Sequence, residues 1–188
     1  MTAGANLKIN LNHEGPRMPY LNKTFLTTIF TLTMIGFFSQ KTYASQVLSG
    51  DYFQACNGNH DGDFYEQHLN ITDETIKWKF IAYEDESCKT PYLIFLREYK
   101  NVSDDQSQIT TLFEKASYVS LTDEVTRSLN LIHYCGLSNW KTHVARDVTG
   151  LKCDDYQQRQ IGEKEAFQYR TTTDKLYWND DEVEYLKL

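Results

Sequence analysis

Three prolines and nine glycines in 188 residues are too few for a collagen-like repeat or a proline-rich linker. Basic residues are in the minority, 19 Lys and Arg against 26 Asp and Glu. Without a concentrated basic patch to displace counterions from phosphates, a nucleic-acid partner is not expected. Only one long apolar run occurs, near the N-terminus, and no second stretch follows it. The chain lacks a Gly-rich strand-to-helix turn, which argues against a doubly wound nucleotide fold. It also lacks a Gly-x-Ser-x-Gly elbow for a serine nucleophile and a Cys-x-x-Cys pair for zinc. What is present, 40% hydrophobic, 24% charged and 14% aromatic residues, is the profile of one globular domain.

The apolar run, residues 25–39, reads FLTTIFTLTMIGFFS. It follows Lys23 and precedes Thr42-Tyr43-Ala44, whose small residues stand at the two positions a signal peptidase inspects. At 1.5 Å per residue the run covers roughly 22 Å, short of a hydrocarbon core of about 30 Å. Residues 18–44 are therefore expected to be a secretory signal peptide, cleaved after Ala44. Residues 1–17 are polar and aperiodic, and the leader would be well formed from Met18, so they read as a doubtful extension. Residues 45–188 are then a single secreted or periplasmic domain, not membrane-spanning after cleavage. Lys8, Arg17, Lys23 and Lys41 but only Glu14 precede position 45, which leaves 15 basic and 25 acidic groups, a net charge of -10. That charge favours solubility and disfavours adhesion to anionic lipid.

Cys56, Cys88, Cys135 and Cys153 all follow the cleavage point, as expected of thiols oxidised during export. Three pairings are possible. Cys56 with Cys88 and Cys135 with Cys153 is expected, because short loops close first and each bridge staples one local unit. Each would contribute roughly 3 to 4 kcal/mol in the chain-entropy account.

Much of the remaining chain alternates apolar and polar residues with period two, the pattern of strands with one buried face. Residues 75–83 place Ile76, Trp78, Phe80 and Ala82 on one face and Lys77 and Lys79 on the other. Residues 91–99 are apolar on both faces and read as a central strand. Further strands are expected over 49–56, 64–72, 107–113, 116–121, 140–148, 165–171, 175–179 and 183–188, with 179–182 as a hairpin loop. Residues 122–132 differ: Thr122 is a plausible N-cap, Asp123 and Glu124 complement the helix dipole, and Val125, Leu129 and Ile132 recur at helical spacing. A mainly β, antiparallel meander or closed barrel of about eight to ten strands with one short helix over 122–132 follows, since closure removes exposed edges.

The run Cys135-Gly136-Leu137-Ser138-Asn139-Trp140, with Asp147-Val148-Thr149-Gly150 and Cys153 after it, resembles the adenomatosis polyposis coli down-regulated family, extracellular proteins that restrain Wnt signalling. The glycine-led strand from Gly50 to Cys56, the aromatic strand near Phe64, the Trp78 strand and the run from Tyr83 to Pro91 follow the family's order. The resemblance covers residues 48–153. Family members resemble tandem copies with a membrane tether, whereas this sequence has room for one copy. The resemblance implies a lipocalin-like bent or open β-barrel, stapled by disulfides, with an apolar cavity suited to an acyl chain. Because the leader looks bacterial, lipid binding is the property expected to carry over, more than a Wnt partner.

The candidate ligand-binding residues are Trp78, Phe80, Tyr92, Ile94, Leu112, Trp140 and Val144, which either line such a cavity or pack against one another. Residues 57–68 form a poor calcium-loop match, with Asn57 first and His68 twelfth. His60, Glu66 and His68 either bind a transition metal or form a wet strand face. His133 and Cys135 suggest a thiol nucleophile with a base, but a disulfide is expected of Cys135 and an oxidised sulfur cannot attack; His143 and Asp147, four apart, lack an identifiable serine nucleophile. The sequons at Asn70 and Asn101 are acceptors only in a eukaryotic secretory pathway. No catalytic residue, metal or cofactor is assigned. The expected function is an exported, non-enzymatic binding protein for a lipid or acyl-chain ligand, Wnt-antagonist-like in its domain. The alternative is a secreted protein-interaction module with a solid barrel.

Overall fold

The computed structural model describes residues 48–58, 64–105, 107–179 and 183–188. The doubtful extension and the signal peptide lie outside them, as do His60, the middle of the calcium-like loop and the tip of the last hairpin. Strands β1 (Gly50–Gly58), β2 (Phe64–Ile71), β3 (Thr75–Tyr83), β4 (Pro91–Asp104) and β5 (Gln108–Ser120) come first. Helix α1 (Asp123–Leu131) and a single 3-10 turn (Tyr134–Gly136) follow, then three two-residue strands, β6 (Arg146–Asp147), β7 (Lys152–Cys153) and β8 (Tyr156–Gln157). Strands β9 (Lys164–Thr171), β10 (Lys175–Trp178) and β11 (Val183–Lys187) complete the chain.

The eight longer strands form one antiparallel sheet that closes on itself, in the order β1-β2-β3-β4-β5-β9-β10-β11 and back to β1. Closure pairs the ladder groups that an open sheet would leave exposed at its two edges. It is the mainly β, ring-like architecture expected, with Ile76, Trp78, Phe80 and Ala82 facing inward from β3. The separate strands expected over 107–113 and 116–121 are one strand, β5. A register shift lies between the pairs Glu98↔Lys115 and Tyr99↔Phe113, so both parts present their apolar residues to the interior.

Strand β5 changes neighbours along its length. Its first half pairs with β9 and its second half with the short β6. The chain from residue 132 to 163 fills the space beside that second half, with the Val148 amide donating to the Ala116 carbonyl at 3.0 Å. The strand expected over 140–148 is absent: Asn139 and His143 adopt left-handed φ values of 87° and 61°, and only Arg146–Asp147 pairs with the sheet. Here glycine suits position 150, whose φ of 69° strains most side chains and beside which the Gln160 amide packs closely.

Helix α1 begins where its cap predicts, the Thr122 hydroxyl accepting from the Val125 amide at 3.2 Å. Val125 and Leu129 are buried, but Ile132 is the C-terminal cap and is 55% exposed, one turn beyond what the helix can cover. Asn130 ties the helix to the following segment: its amide nitrogen donates to the carbonyls of Thr126 and Trp140, and its oxygen accepts from the amides of Asn139 and Trp140. Both expected disulfides form, Cys56–Cys88 with a Cα separation of 5.9 Å and Cys135–Cys153 with 4.0 Å. The first joins the end of β1 to the β3–β4 connection, and the second fastens the 3-10 turn to β7.

Candidate ligand-binding site

Strand register sorts the inward-facing side chains of β2 to β5 into four layers. Ile71, Ile76, Tyr99 and Phe113 form the first; Leu69, Trp78, Arg97 and Ala116 the second; Gln67, Phe80, Phe95 and Tyr118 the third; Tyr65, Ala82, Leu93 and Ser120 the last. The first layer is sealed together with Ile109, Phe167, Leu176 and Trp178. Tyr99 meets Phe113 and Phe167 edge-on, with ring centroids 5.4 Å apart in each pair, the arrangement favoured by aromatic quadrupoles.

Toward the other end the interior is unevenly covered. Tyr118 and Ser120 are buried, with Tyr134 edge-on against Tyr118 at 5.6 Å. On β3 and β4, however, Trp78, Phe80, Phe95 and Arg97 face inward and remain partly exposed. Tyr65 stacks on Phe80 at 4.8 Å and is likewise only half-buried. Inward-facing aromatic side chains that solvent still reaches form an apolar, unsealed surface.

Two polar groups sit within it. Gln67 is buried and fully engaged: its amide nitrogen donates to Gln54 Oε1 at 2.7 Å, while its oxygen accepts from Trp78 Nε1 and Tyr185 Oη at 2.8 Å each. Arg97 donates from Nη2 to Tyr156 Oη at 3.1 Å and lies over Phe95, Trp78 and Tyr156 at 4.8, 5.5 and 5.7 Å. Glu165, on the neighbouring inner face, receives Arg159 Nη2 at 2.9 Å. Burial pushes the phenols of Tyr99, Tyr118, Tyr134 and Tyr185 above their ordinary range, so they are neutral at physiological pH. The surface therefore offers aromatic faces, neutral hydroxyls and the Arg97 guanidinium, with the Glu165 carboxylate close enough to act on its charge.

Of the residues expected here, Trp78 and Phe80 are brought together on the inner face. Tyr92 sits at the bulge where β4 passes Ala82 and Tyr83, half-buried against the same hydrophobic cluster. Ile94 lies on the outer face, paired with Ile81 and Val119, and Leu112 lies between Lys100 and Lys164 on the outer face of β5. Trp140 is buried outside the ladder, beside Tyr134, and Val144 is 50% exposed in a turn. Ile94, Leu112 and Val144 are thus not joined to Trp78 and Phe80, whereas Trp140 belongs to the same hydrophobic cluster, reached through Tyr134 and Tyr118. In a strand apolar on both sides, alternation does not reveal which set points inward, and residues 140–148 do not form the strand that would have aligned them. Phe95, Arg97 and Tyr156 were missed. The sequence signal for Arg97 was a lone cation within an apolar run.

Glu66 and His68 share the outer face of β2, 4.0 Å apart, with His68 against Phe53 at 4.9 Å. Burial and Lys79 lower the His68 pKa while Glu66 opposes them. Among the described residues no cluster of three His, Cys, Asp or Glu side chains is arranged to hold a metal ion, and no helix is long and apolar enough to cross a membrane. Cys135 is in a disulfide and carries no free thiol beside His133. In comparisons with known proteins, no family model and no curated protein matches the chain.

Proposed function

We propose that this chain is an exported, non-enzymatic binding protein that holds a lipid or acyl chain against the unsealed part of its ring interior. The observation that carries this reading is the partial exposure of Trp78, Phe80 and Phe95 on the inner face, in a ring whose other end is sealed by its own side chains. Burying such aromatic surface against an apolar ligand is favourable at roughly 25 cal/mol per Å². The two disulfides suit an oxidising, extracellular or periplasmic setting. Sequestration of an acylated partner, as in the Wnt-restraining family that the sequence resembles, is the family-flavoured form of the same activity.

A second reading draws on the sealed end. If side chains also close over Trp78 and Phe80 in solution, the molecule is an interaction module whose acidic exterior contacts another protein. Native mass spectrometry of the protein secreted with its own leader separates the two readings. Co-purified lipid, or saturable uptake of an uncharged long-chain fluorescent probe, supports ligand binding. A ligand-free protein that takes up no probe supports the interaction module.

A further inference from the structure

We propose that Arg97 receives the anionic head of a single-chain amphiphile, so that the ligand is a singly charged acid rather than a neutral ester or alcohol. This rests on the reading that the ring interior holds an acyl chain. A guanidinium stays charged at any physiological pH, and a charge inside a protein requires compensation. Arg159 shows how this chain ordinarily provides it, through Glu165 and Glu163 at 2.9 and 3.8 Å. Arg97 has no such direct partner: among the described residues no carboxylate lies within ion-pair distance of it, and Glu165, whose charge acts on it, gives Oε1 to Arg159 while Oε2 is buried without a hydrogen-bond partner. It lies over the aromatic faces of Trp78, Phe95 and Tyr156, donates to the Tyr156 hydroxyl, and is near the hydroxyls of Tyr99 and Tyr118.

Position gives this cation its meaning. Arg97 stands in the second layer, directly above the sealed Tyr99 and Phe113 layer, and is itself partly exposed. Strand β4 runs from Arg97 past Phe95 to Leu93, four residues or about 14 Å. An anion seated at Arg97 would place a medium-length chain along Phe95, Phe80 and Tyr65, with the open end beyond. The remaining guanidinium N–H groups would supply charge-assisted hydrogen bonds, about twice as strong as neutral ones. The acidic exterior disfavours multiply charged heads, which argues for a carboxylate over a phosphate monoester.

The test is calorimetric titration of the intact secreted protein with dodecanoate, 1-dodecanol, methyl dodecanoate and dodecyl phosphate at neutral pH. Dodecanoate is expected to bind about tenfold or more tighter than the alcohol and ester, as a charged hydrogen-bonding partner warrants, and tighter than the phosphate. Arg97→Gln should bring the acid-to-alcohol ratio close to one, and Arg97→Lys should retain part of the preference. Equal binding of acid and alcohol by the unmodified protein overturns the assignment of Arg97 but leaves acyl binding standing. Preference for the phosphate overturns the choice of a singly charged head. Failure to bind any of the four overturns both this inference and the function it rests on. The unmodified protein decides the matter even if Arg97→Gln does not fold.

Discussion

At one end of the ring, Tyr99, Phe113, Phe167 and Trp178 interlock with almost no exposure. At the other, Trp78, Phe80, Phe95 and Arg97 face the same interior and stay in contact with solvent. Strand β4 contributes to both sets with the same alternation, Tyr99 to the first and Phe95 and Arg97 to the second, so the difference does not lie in local conformation. It lies in what stands opposite. Around the first layer, β9 and β10 contribute Phe167, Leu176 and Trp178, which complete an aromatic core. Higher up, β5 leaves β9 for β6, and the chain from 132 to 163 covers the β5 side while the β3 and β4 side chains keep their exposure. The sealed end stabilises the fold, which allows the other end to leave apolar surface uncovered.

The largest expected effect separates the two ends directly. Phe113→Ala should destabilise the protein by about 4 kcal/mol, as for a fully buried aromatic side chain, whereas Phe80→Ala should cost about 1 to 2 kcal/mol because part of its surface is already wet. Urea unfolding of the two variants measures this; equal losses would mean the ends are packed alike. Next, replacing Cys135 and Cys153 together by Ser opens an 18-residue loop and is expected to cost about 3 kcal/mol. Hydrogen exchange should show the lost protection concentrated in the second half of β5 and residues 132–163, with β9 to β11 unchanged. Uniform loss around the ring would show that the covering segment is not a separable unit.

The smallest effect is read in alkali. Tyr83, outside the ring, is pushed up to about 12 by burial and by its hydroxyl's bond to Glu66 Oε2 at 2.7 Å. A raised folded-state pKa contributes stability that is complete below the ordinary value of 10 and is lost as pH climbs through about 12. Tyr83→Phe should therefore flatten the decline in stability between these values. In an ultraviolet difference titration Tyr83 should ionise in the folded protein, while Tyr99 and Tyr185 ionise only as it unfolds. Early ionisation of Tyr185 would show that the interior is wetter than its burial implies.

How much of this was legible in the chain varies with the range of the interaction. Strand β3 appears over the residues expected, because Trp78 and Lys79 alternate without ambiguity, and α1 begins at the Thr122 cap, whose partner is three residues away. Both disulfides follow from sequence-local closure. The site was harder to read. In β4 the sets Tyr92-Ile94-Leu96 and Leu93-Phe95-Arg97 both carry large apolar side chains, and only the pairing Trp78↔Arg97 decides which set lines the interior. Val144 ends in a turn and Trp140 reaches the hydrophobic cluster from outside the ladder, because their segment turns at Asn139 and His143 instead of extending.

The sequence by itself determined the elements: where strands alternate, where a helix is capped, and which cysteines lie near enough to pair. These depend on neighbours within a few residues or on short loops. Only the tertiary structure decided which face of β4 is inside, where β5 exchanges partners, and that Arg97 stands among aromatic rings with no ion-pair partner among the described residues. Those outcomes depend on register between strands distant along the chain, and a shift of one residue in that register would turn every side chain to the opposite face.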